Sequence, residues 1–302
     1  MSGGKGTSPP TLSILLLCWN HAQFLEQCIA SIARQSLPCD EIVFLDNSSS
    51  DNSFELAKDL FKRFGLTVKM LRNDQPQGIS ANLNRLLAEA TGNLVAPLST
   101  DDWYAPNYVE SMCAAAKRDP DAALLATNGW SVNQNDGEQV PSSAPPLRNE
   151  FVGSRFLSEQ HFFFWVGLCY RRATVVEIGG WDSKQIVEDI DLLYRLTKQH
   201  TVTQLADRLV YYRRSDSSIS RDPIFMAKGR LCFYKKHRYD FGAQWKFLVS
   251  EMLRSSAAVA IDRRKLSGAA RLLMRSLAIR PFNATSWRTV VYLLRIIARR
   301  SK

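Results

Sequence analysis

The amino-acid sequence predicts an α/β fold with a mostly parallel sheet flanked by helices, followed by a helical region. Short apolar runs alternate with amphipathic helical patterns from Leu12 onward, which is the pattern of parallel βαβ units. Three of these runs end in polar loops, after Cys18, Leu45 and Leu98. Residues 224–302 show only helical periodicity. With 302 residues and 45% hydrophobic content, the chain can bury the core of one large domain and support an appendage.

The predicted elements alternate along the first half of the chain. Leu12–Cys18 is a continuous apolar run, typical of a strand buried on both faces. A helix ends at Gly65, a residue that often terminates helices. Strands are predicted at 12–18, 41–45, 67–71, 93–98 and 122–127, and helices at 24–32, 54–64, 78–90 and 107–117. Because parallel strands end at one edge of a sheet, we expect the loops after the first, second and fourth strands to emerge together.

Two later stretches are more irregular. Residues 131–150 are polar and rich in Pro and Ser, which predicts a surface loop dividing the domain into two halves. Phe162–Tyr170 is the most aromatic stretch and reads as a core strand. The alternative is a sugar-stacking platform at Trp165, beside Gly167.

A pair of acids, Asp101 and Asp102, follows directly after the fourth predicted strand. Two adjacent carboxylates repel each other unless a positive charge lies nearby. Mg²⁺ or Mn²⁺ uses one or two carboxylates and takes its other ligands from phosphate and water. The acid pair therefore fits a divalent metal with a phosphate-bearing ligand; the alternative is a solvated turn that caps the next helix.

A second acidic cluster begins the predicted helix Val187–Leu196. Glu188, Asp189 and Asp191 lie in its first turn, where the helix dipole favours negative charge. The dipole accounts comfortably for one of these carboxylates, and three indicate a functional site.

The basic charge is concentrated in the tail. Residues 224–302 contain 18 Lys and Arg and three acids, a net charge of +15, so the rest of the +10 chain carries −5. Its helices interleave Arg with Leu, Ile and Val, which favours an anionic membrane surface. The alternative is packing on the α/β domain with a solvated basic face. No nucleic-acid-binding module is recognisable, so we expect no nucleic-acid partner.

Other features point to a cytoplasmic protein without a zinc site. The six cysteines are scattered with no CxxC pair, which predicts reduced thiols. The four histidines are widely separated, which gives a His-based zinc site little support. Residues 1–10 lack the apolar segment of a signal peptide and are predicted to be a flexible leader. No apolar run is long enough for a membrane span.

Four blocks together carry a family resemblance over roughly residues 11–220. In order they are LLLCWN, IVFLDNSSSDNS, GISANLN through ATGNLVAPLSTDDWYAP, and IGGWDSKQIVEDIDLLYRL. The chain resembles the family 2 glycosyltransferases. The resemblance implies a Rossmann-like GT-A fold, a nucleotide-diphosphate sugar donor, a divalent metal (Mg²⁺ or Mn²⁺) and inversion at the anomeric carbon.

The resemblance assigns roles to individual residues. It places one set on the nucleotide-sugar side: Cys18, Trp19, Asn20, Asp46, Asn47, Gly78 and Asp101. It makes Asp102 the direct metal ligand and Asp189 the general base that takes the proton of an acceptor hydroxyl. The candidates for the acceptor side are Trp165, Trp181, Glu188 and Asp191.

The chain departs from the family pattern near the end of the domain. The family often has Tyr-Arg-x-His after its last strand, with a His that helps to bind metal. Here the segment reads YYRRSDSSIS, with Ser215 at the expected His position. We expect Arg213 and Arg214 to hold pyrophosphate oxygens, because guanidinium matches phosphate geometry. Metal dependence is then weaker than usual.

The sequence thus predicts a leader (1–10), a GT-A domain (11–223) and a basic helical region (224–302). The nucleotide half of the domain is 11–102 and the acceptor half 103–223. The predicted activity is inverting sugar transfer (EC 2.4), from a UDP-sugar or a dTDP-sugar, to a glycan or lipid-linked glycan in surface polysaccharide biosynthesis. The expected location is cytoplasmic and peripheral on the membrane. The alternative is a non-catalytic glycan-binding or scaffold protein of the same fold.

Overall fold

A computed structural model describes residues 9–153, 155, 163–215 and 218–298. Most of the predicted leader, Phe162 and the last four residues of the basic tail lie outside the described residues. The chain divides into two compact units. The first comprises Met1–Ser183 and Asp191–Ser215, and the second comprises Lys184–Ile190 and Asp216–Lys302.

The described part of the first unit contains one sheet of ten strands in the order β3-β2-β1-β4-β9-β6-β10-β5, with β7 on β6 and β8 on β10. The neighbours β3, β2, β1 and β4 are all parallel, as are the two longest strands, β6 and β10. The short strands β5, β7, β8 and β9 pair antiparallel. The strand bounds are Leu12–Cys18 (β1), Glu41–Asp46 (β2), Lys69–Arg72 (β3), Leu94–Ser99 (β4), Trp103–Tyr104 (β5), Ala122–Asn133 (β6), Gln139–Pro141 (β7), Leu147–Glu150 (β8), Cys169–Arg171 (β9) and Thr201–Arg214 (β10).

Helices α1 to α4 connect the strands of the first unit and α7 to α11 form most of the second. The helix bounds are Ala22–Ala33 (α1), Ser53–Arg63 (α2), Ile79–Glu89 (α3), Tyr108–Arg118 (α4), Arg172–Glu177 (α5), Glu188–Thr197 (α6), Pro223–Lys236 (α7), Arg238–Phe241 (α8), Trp245–Asp262 (α9), Leu266–Ile279 (α10) and Ala284–Ala298 (α11). The predicted α/β fold with a C-terminal helical region is confirmed.

Strand β1 is at the centre of the parallel part of the sheet. All but one of its residues are buried, because it pairs with a strand on either side and helices cover the sheet. In the register, Cys18 pairs with Asp46, and Leu17 pairs with Ser99. The loops after β1, β2 and β4 therefore leave the sheet at one edge, as the alternation of elements predicts.

The prediction of an irregular loop over residues 131–150 is wrong. Strand β6 extends to Asn133, and β7 and β8 lie within the stretch. The three residues of β7 are exposed, so the sequence has no buried apolar pattern that would predict this strand. Backbone pairing to β6 and β10 defines β7 and β8, and such pairing is not visible in side-chain periodicity.

The described helices of the second unit pack around a small polar centre. Ser276 Oγ lies 2.9 Å from Ser250 Oγ and 3.0 Å from Ser286 Oγ, all three side chains being buried. Asn283 donates to Ser250 Oγ over 3.2 Å and to Glu251 over 2.7 Å. These hydrogen bonds link α9, α10 and the start of α11.

All six cysteines are free, in line with the prediction of reduced thiols. Among the helices that the structure describes, none combines the length and apolar character needed to cross a membrane.

Candidate active site

The loop after β1 is tied to the loop after β2 by Asn20. Its amide oxygen accepts hydrogen bonds from the backbone N–H of Ser50 (2.8 Å), and its own N–H donates to Ser49 Oγ (2.9 Å). Asn20 has a φ of +56°, a left-handed conformation that Asn tolerates better than most residues. The side chain of Asn20 therefore shapes the loop, while the neighbouring Trp19 is 48% exposed and open to a flat ligand.

The thiol of Cys18 is buried in the core, and burial raises its pKa to about 11. The thiol is therefore enclosed in the core, and the predicted contact of Cys18 with a base stays a prediction. Its carbonyl accepts from the N–H of Asn47 over 2.8 Å.

Asp46 is fully buried at the end of β2. Its Oδ2 accepts from the N–H of Ser49 (3.0 Å) and lies 3.4 Å from Arg72 Nε. Its Oδ1 is buried with no hydrogen-bond partner among the described residues. A buried acceptor without a partner is costly, so this oxygen is available to a donor group of a ligand.

Asn47 belongs to a hydrogen-bonded group that we call the amide cluster, comprising the side chains of Asn47, Asn73 and Asn82 and the backbone of Gln77. Asn73 Nδ2 donates to the Oδ1 atoms of Asn47 (2.8 Å) and Asn82 (2.7 Å). Asn47 Oδ1 also accepts from the N–H of Gln77 (2.8 Å). These bonds join the loops after β2 and β3 to the start of α3. The side chain of Asn47 is thus engaged within the protein.

Gly78 directly precedes α3, with φ −66° and ψ 153°. A Cβ atom added to it would meet nothing within 4 Å, and its backbone conformation is open to any residue. Neither the packing nor the backbone of the protein requires glycine at this position. The space beside its Cα is free for a ligand, next to the N-terminus of a helix that attracts negative groups.

The acid pair lies at the turn after β4. Asp102 is 3% exposed, and its Oδ1 accepts from the backbone N–H of Arg213 over 2.8 Å. Desolvation by burial, followed by the charge of Asp101, raises the pKa of Asp102 well above its usual range. Asp101 is more accessible, but its Oδ1 is buried and without a hydrogen-bond partner among the described residues.

Arg213, at the end of β10, fixes this turn. Its Nε donates to the backbone oxygen of Asp101 (2.9 Å) and its Nη2 to Gln27 (2.5 Å). The guanidinium lies 4.5 Å from the ring centre of Phe24 and 4.8 Å from that of Trp103. These bonds use two of its five N–H donors, so the predicted binding of pyrophosphate by this side chain stays a prediction. Arg213 positions the acids.

Arg214 is different. Its Nε is buried with no hydrogen-bond partner among the described residues. The predicted contact with a phosphate therefore remains a prediction for Arg214. Ser215 follows it directly, at the position where a histidine is expected.

The sequence analysis did not single out His21 and Thr100. His21 Nδ1 lies 3.0 Å from Thr100 Oγ1 and 3.9 Å from Asp101 Oδ1. Burial lowers the pKa of His21, and the charges of Asp101 and Asp51 partly offset that effect. The block LLLCWN ends one residue before His21, so a search extended by one residue would have included it.

The donor set at the acid pair fits a hard divalent cation. It offers two carboxylates, one with a buried unpaired oxygen, and these are the ligands that Mg²⁺ and Mn²⁺ prefer. No group of three or more His, Cys, Asp or Glu side chains among the described residues could hold a metal. The cation would therefore need further ligands from phosphate and water.

Two predicted acceptor residues have structural roles. Trp181 is 2% exposed and packs edge-on against Tyr170 at 6.0 Å. Asp191 is fully buried and accepts from Arg195 Nε over 2.7 Å. Both side chains are buried in the core, and their placement in an acceptor site stays a prediction.

Arg195 also holds the glycine turn before α6, by donating to the carbonyls of Ile178 and Gly180 over 2.6 Å each. Gly180 has a φ of +67°, and a Cβ atom there would lie 2.4 Å from Asn84 Oδ1. Only glycine fits this position. Asn84 in turn bonds both the N–H and the carbonyl of Trp181.

Glu188 and Asp189 begin α6, in the segment Lys184–Ile190 that belongs to the second compact unit. Burial, and next the charge of Asp189, raise the pKa of Glu188 to about 8. The protonated form of Glu188 is therefore favoured. Trp165, in the first unit, is 45% exposed, which leaves its ring accessible to a sugar.

A model of the glycosyl transferase family 2 domain matches residues 13–179, more than half of the chain. Among curated proteins, the amylovoran biosynthesis glycosyltransferase AmsE of Erwinia amylovora is 24% identical over 212 residues, covering 69% of this chain and 78% of AmsE. The putative glycosyltransferase EpsH of Bacillus subtilis is 24% identical over 171 residues, or 55% of this chain. The match spans about half (48%) of the length of EpsH.

Two solved structures share the fold. TarS of S. aureus (residues 1–349, in complex with UDP-GlcNAc) aligns with a TM-score of 0.68 at 14% identity, covering 89% of this chain and 81% of the TarS chain. The mannosyltransferase PcManGT of Pyrobaculum calidifontis, in complex with GDP-Man and Mn²⁺, aligns with a TM-score of 0.60 at 16% identity, covering 97% and 87%.

Proposed function

Because the chain belongs to glycosyl transferase family 2, we propose that it transfers a sugar from a nucleotide-diphosphate donor to an acceptor hydroxyl with inversion. The observation that carries this proposal is the arrangement of unpaired polar atoms around the shared edge of the sheet. Asp46 Oδ1 and Asp101 Oδ1 are both buried and unpaired among the described residues, and the open flank of Gly78 adds room for a ligand.

On the donor side, Trp19 offers a ring for stacking on a base, and Asp46 offers an acceptor for an N–H or O–H of the nucleoside. Gly78 lets the ligand approach the start of α3. A UDP-sugar is the donor that we favour, with a dTDP-sugar as the alternative. The co-crystallised ligand of TarS, UDP-GlcNAc, supports a uridine nucleotide.

The acid pair would hold Mg²⁺ or Mn²⁺, which when bound neutralises the charge that develops on the departing nucleotide diphosphate. Asp102 would be the direct ligand, kept in place by the N–H of Arg213. The Mn²⁺ in the complex of PcManGT supports this choice of ion. Since Ser215 replaces the expected histidine, we propose that the ion binds less tightly than is usual for the family.

We propose that Asp189 is the general base. The acceptor oxygen attacks the anomeric carbon as Asp189 takes its proton, and the bond from that carbon to the phosphate oxygen breaks. The nucleotide diphosphate leaves with the electron pair. A single direct displacement inverts the anomeric configuration, whereas retention needs a second carboxylate as nucleophile.

The acceptor that we propose is a glycan or a lipid-linked glycan, in surface polysaccharide biosynthesis. The similarity to AmsE, an amylovoran biosynthesis glycosyltransferase, supports this context. We also propose a cytoplasmic location at the membrane surface, on the basis of the +15 charge of residues 224–302.

Nucleotide release from a panel of UDP-, dTDP- and GDP-sugars, with and without chelator, tests the proposed function. We expect turnover with one uridine or thymidine donor, and only a partial loss of turnover with chelator because metal dependence is weak. Complete loss with chelator and recovery at micromolar Mg²⁺ or Mn²⁺ would contradict the weak metal dependence. Glycan binding without turnover of any donor would favour the non-catalytic alternative.

A further inference from the structure

Helix α11 buries mainly small polar side chains and exposes most of its large apolar ones, the reverse of an ordinary surface helix. Its buried residues are Ser286, Thr289 and Leu293, two of which are small and polar. Ser286 joins the polar centre through Ser276 at 3.0 Å. Most of its large apolar side chains are exposed instead, among them Trp287, Val291 and Leu294. A surface helix normally turns such residues toward the core, so this exposed face suits contact with a partner.

The outward residues form a continuous surface that we call the α11 stripe, comprising Trp287, Val291 and Leu294. Their spacing of four and three residues places them on one face of the helix. They are 53%, 46% and 58% exposed, respectively. The indole N–H of Trp287 donates to the carbonyl of Pro281 over 2.8 Å. The polar group of the ring is therefore already hydrogen-bonded within the protein, and the rest of the ring is apolar. Just before the helix, Phe282 is 98% exposed.

Positive charge accompanies the α11 stripe. Arg288 and Arg295 each directly follow a stripe residue in the sequence and are both exposed, so they lie along one flank of the stripe. Residues 280–302 contain six basic residues and no acid: Arg280, Arg288, Arg295, Arg299, Arg300 and Lys302. Long basic side chains beside an apolar surface can bind a partner whose interior is apolar and whose surface is negatively charged.

We propose that the α11 stripe inserts into the surface of an anionic lipid bilayer, with Arg288 and Arg295 at the headgroups. This inference deepens the proposed peripheral location and rests on it. The 15 residues of α11 are too few to cross the hydrocarbon core, so the helix lies in the plane of the interface. A second copy of the chain fits less well, because a symmetric contact would bring identical arginines together and residues 280–302 contain no acid to pair with them.

Sedimentation of the full chain with lipid vesicles tests the proposal. The probes are phosphatidylcholine vesicles with and without about one third phosphatidylglycerol. We expect binding to the anionic vesicles alone, which weakens as salt is raised. Trp287→Ala combined with Leu294→Ala should lower partitioning at least about tenfold. Arg288→Gln with Arg295→Gln should lower it several-fold and reduce the salt dependence.

The matched control is Val259→Ala combined with Met274→Ala. Both side chains are exposed and apolar, at 44% and 63%, and belong to α9 and α10 of the same unit. This variant should bind vesicles like the unchanged chain, and thermal melting should show all variants folded.

Three outcomes would overturn the proposal. If the stripe variant binds as well as the control, the peripheral location stands but the assignment to α11 is wrong. If the unchanged chain binds no anionic vesicle, both are wrong. If the unchanged chain does not bind vesicles and the stripe variant loses a self-association seen in sedimentation velocity, the stripe joins copies of the chain. Donor turnover, measured in parallel, shows separately whether the proposed function holds.

Discussion

Three buried polar atoms mark where a ligand is expected at the scale of single residues. Asp46 Oδ1, Asp101 Oδ1 and Arg214 Nε have no hydrogen-bond partner among the described residues. Native proteins pair nearly all such groups, and leaving one unpaired costs about 1–3 kcal/mol. The two acceptor oxygens suit the donor groups of a nucleoside and a cation. The one donor, Arg214 Nε, suits a phosphate oxygen. We assign Gly78 to the same proposed site for a different reason, since neither its backbone angles nor its packing requires a glycine there.

Gly78→Ala tests this interpretation. The backbone angles suit alanine and the added Cβ meets no atom, so the free energy of unfolding should change by less than about 1 kcal/mol. The methyl group would occupy the space that we assign to the donor. We therefore expect nucleotide affinity, measured by titration calorimetry, to fall about tenfold or more. Unchanged affinity in a folded variant would remove Gly78 from the site.

At the scale of secondary-structure elements, the amide cluster connects three segments that are distant in sequence. Asn73 is 7% exposed and follows β3; its backbone N–H donates to the carbonyl of Asp46 over 2.9 Å. Its side chain also accepts from Arg85, on α3, over 2.5 Å. Because the cluster includes Asn47 and Gln77, which directly precedes Gly78, we expect its geometry to shape the proposed nucleotide-binding part of the site.

Asn73→Asp should disrupt the cluster. The substitution replaces a donor to two amide oxygens by a second acceptor, so both interactions become repulsive. We expect the free energy of unfolding to fall by about 2–4 kcal/mol and nucleotide affinity to fall about tenfold. The matched control is Asn107→Asp, at an exposed position that begins α4 and whose side chain makes no capping hydrogen bond. The control should leave both quantities nearly unchanged, and an equal effect of the two substitutions would contradict a role for the cluster.

The alternation of elements was predictable because apolar runs and helical periodicity report burial directly. The sheet edge that collects the loops after β1, β2 and β4 follows from that alternation. The position of Arg213 was not predictable, since its role depends on contacts with Gln27 and Asp101, far away in sequence. In the same way, Trp181 and Asp191 have the composition of a sugar-binding site but are buried, and composition alone does not distinguish the two environments.

At the scale of the whole molecule, the excess of basic residues and the proposed donor-binding residues lie in different parts of the chain. Residues 1–223 carry a net charge of −5 and include all the proposed donor-binding residues, whereas residues 224–302 carry +15. The second compact unit contains both the α11 stripe and the segment Lys184–Ile190, which includes Asp189. The proposed general base thus belongs to the same unit as the proposed membrane contact.

Glu188, next to the proposed general base Asp189, provides a matched control. Burial raises the pKa of Glu188, which favours the protonated form of its carboxyl. Glutamine is close in shape to a protonated Glu, so Glu188→Gln should have little effect at pH 7. Asp189→Asn, one residue away, removes the group that we propose to accept the proton.

The most direct measurement is kcat for donor turnover at pH 7 in these two variants, together with the Kd of the nucleotide. Asp189→Asn should lower kcat by about 10²–10⁴-fold with the Kd nearly unchanged, while Glu188→Gln stays close to the unchanged chain. If Asp189→Asn keeps kcat within about tenfold, or if both variants lose activity equally, Asp189 is not the general base.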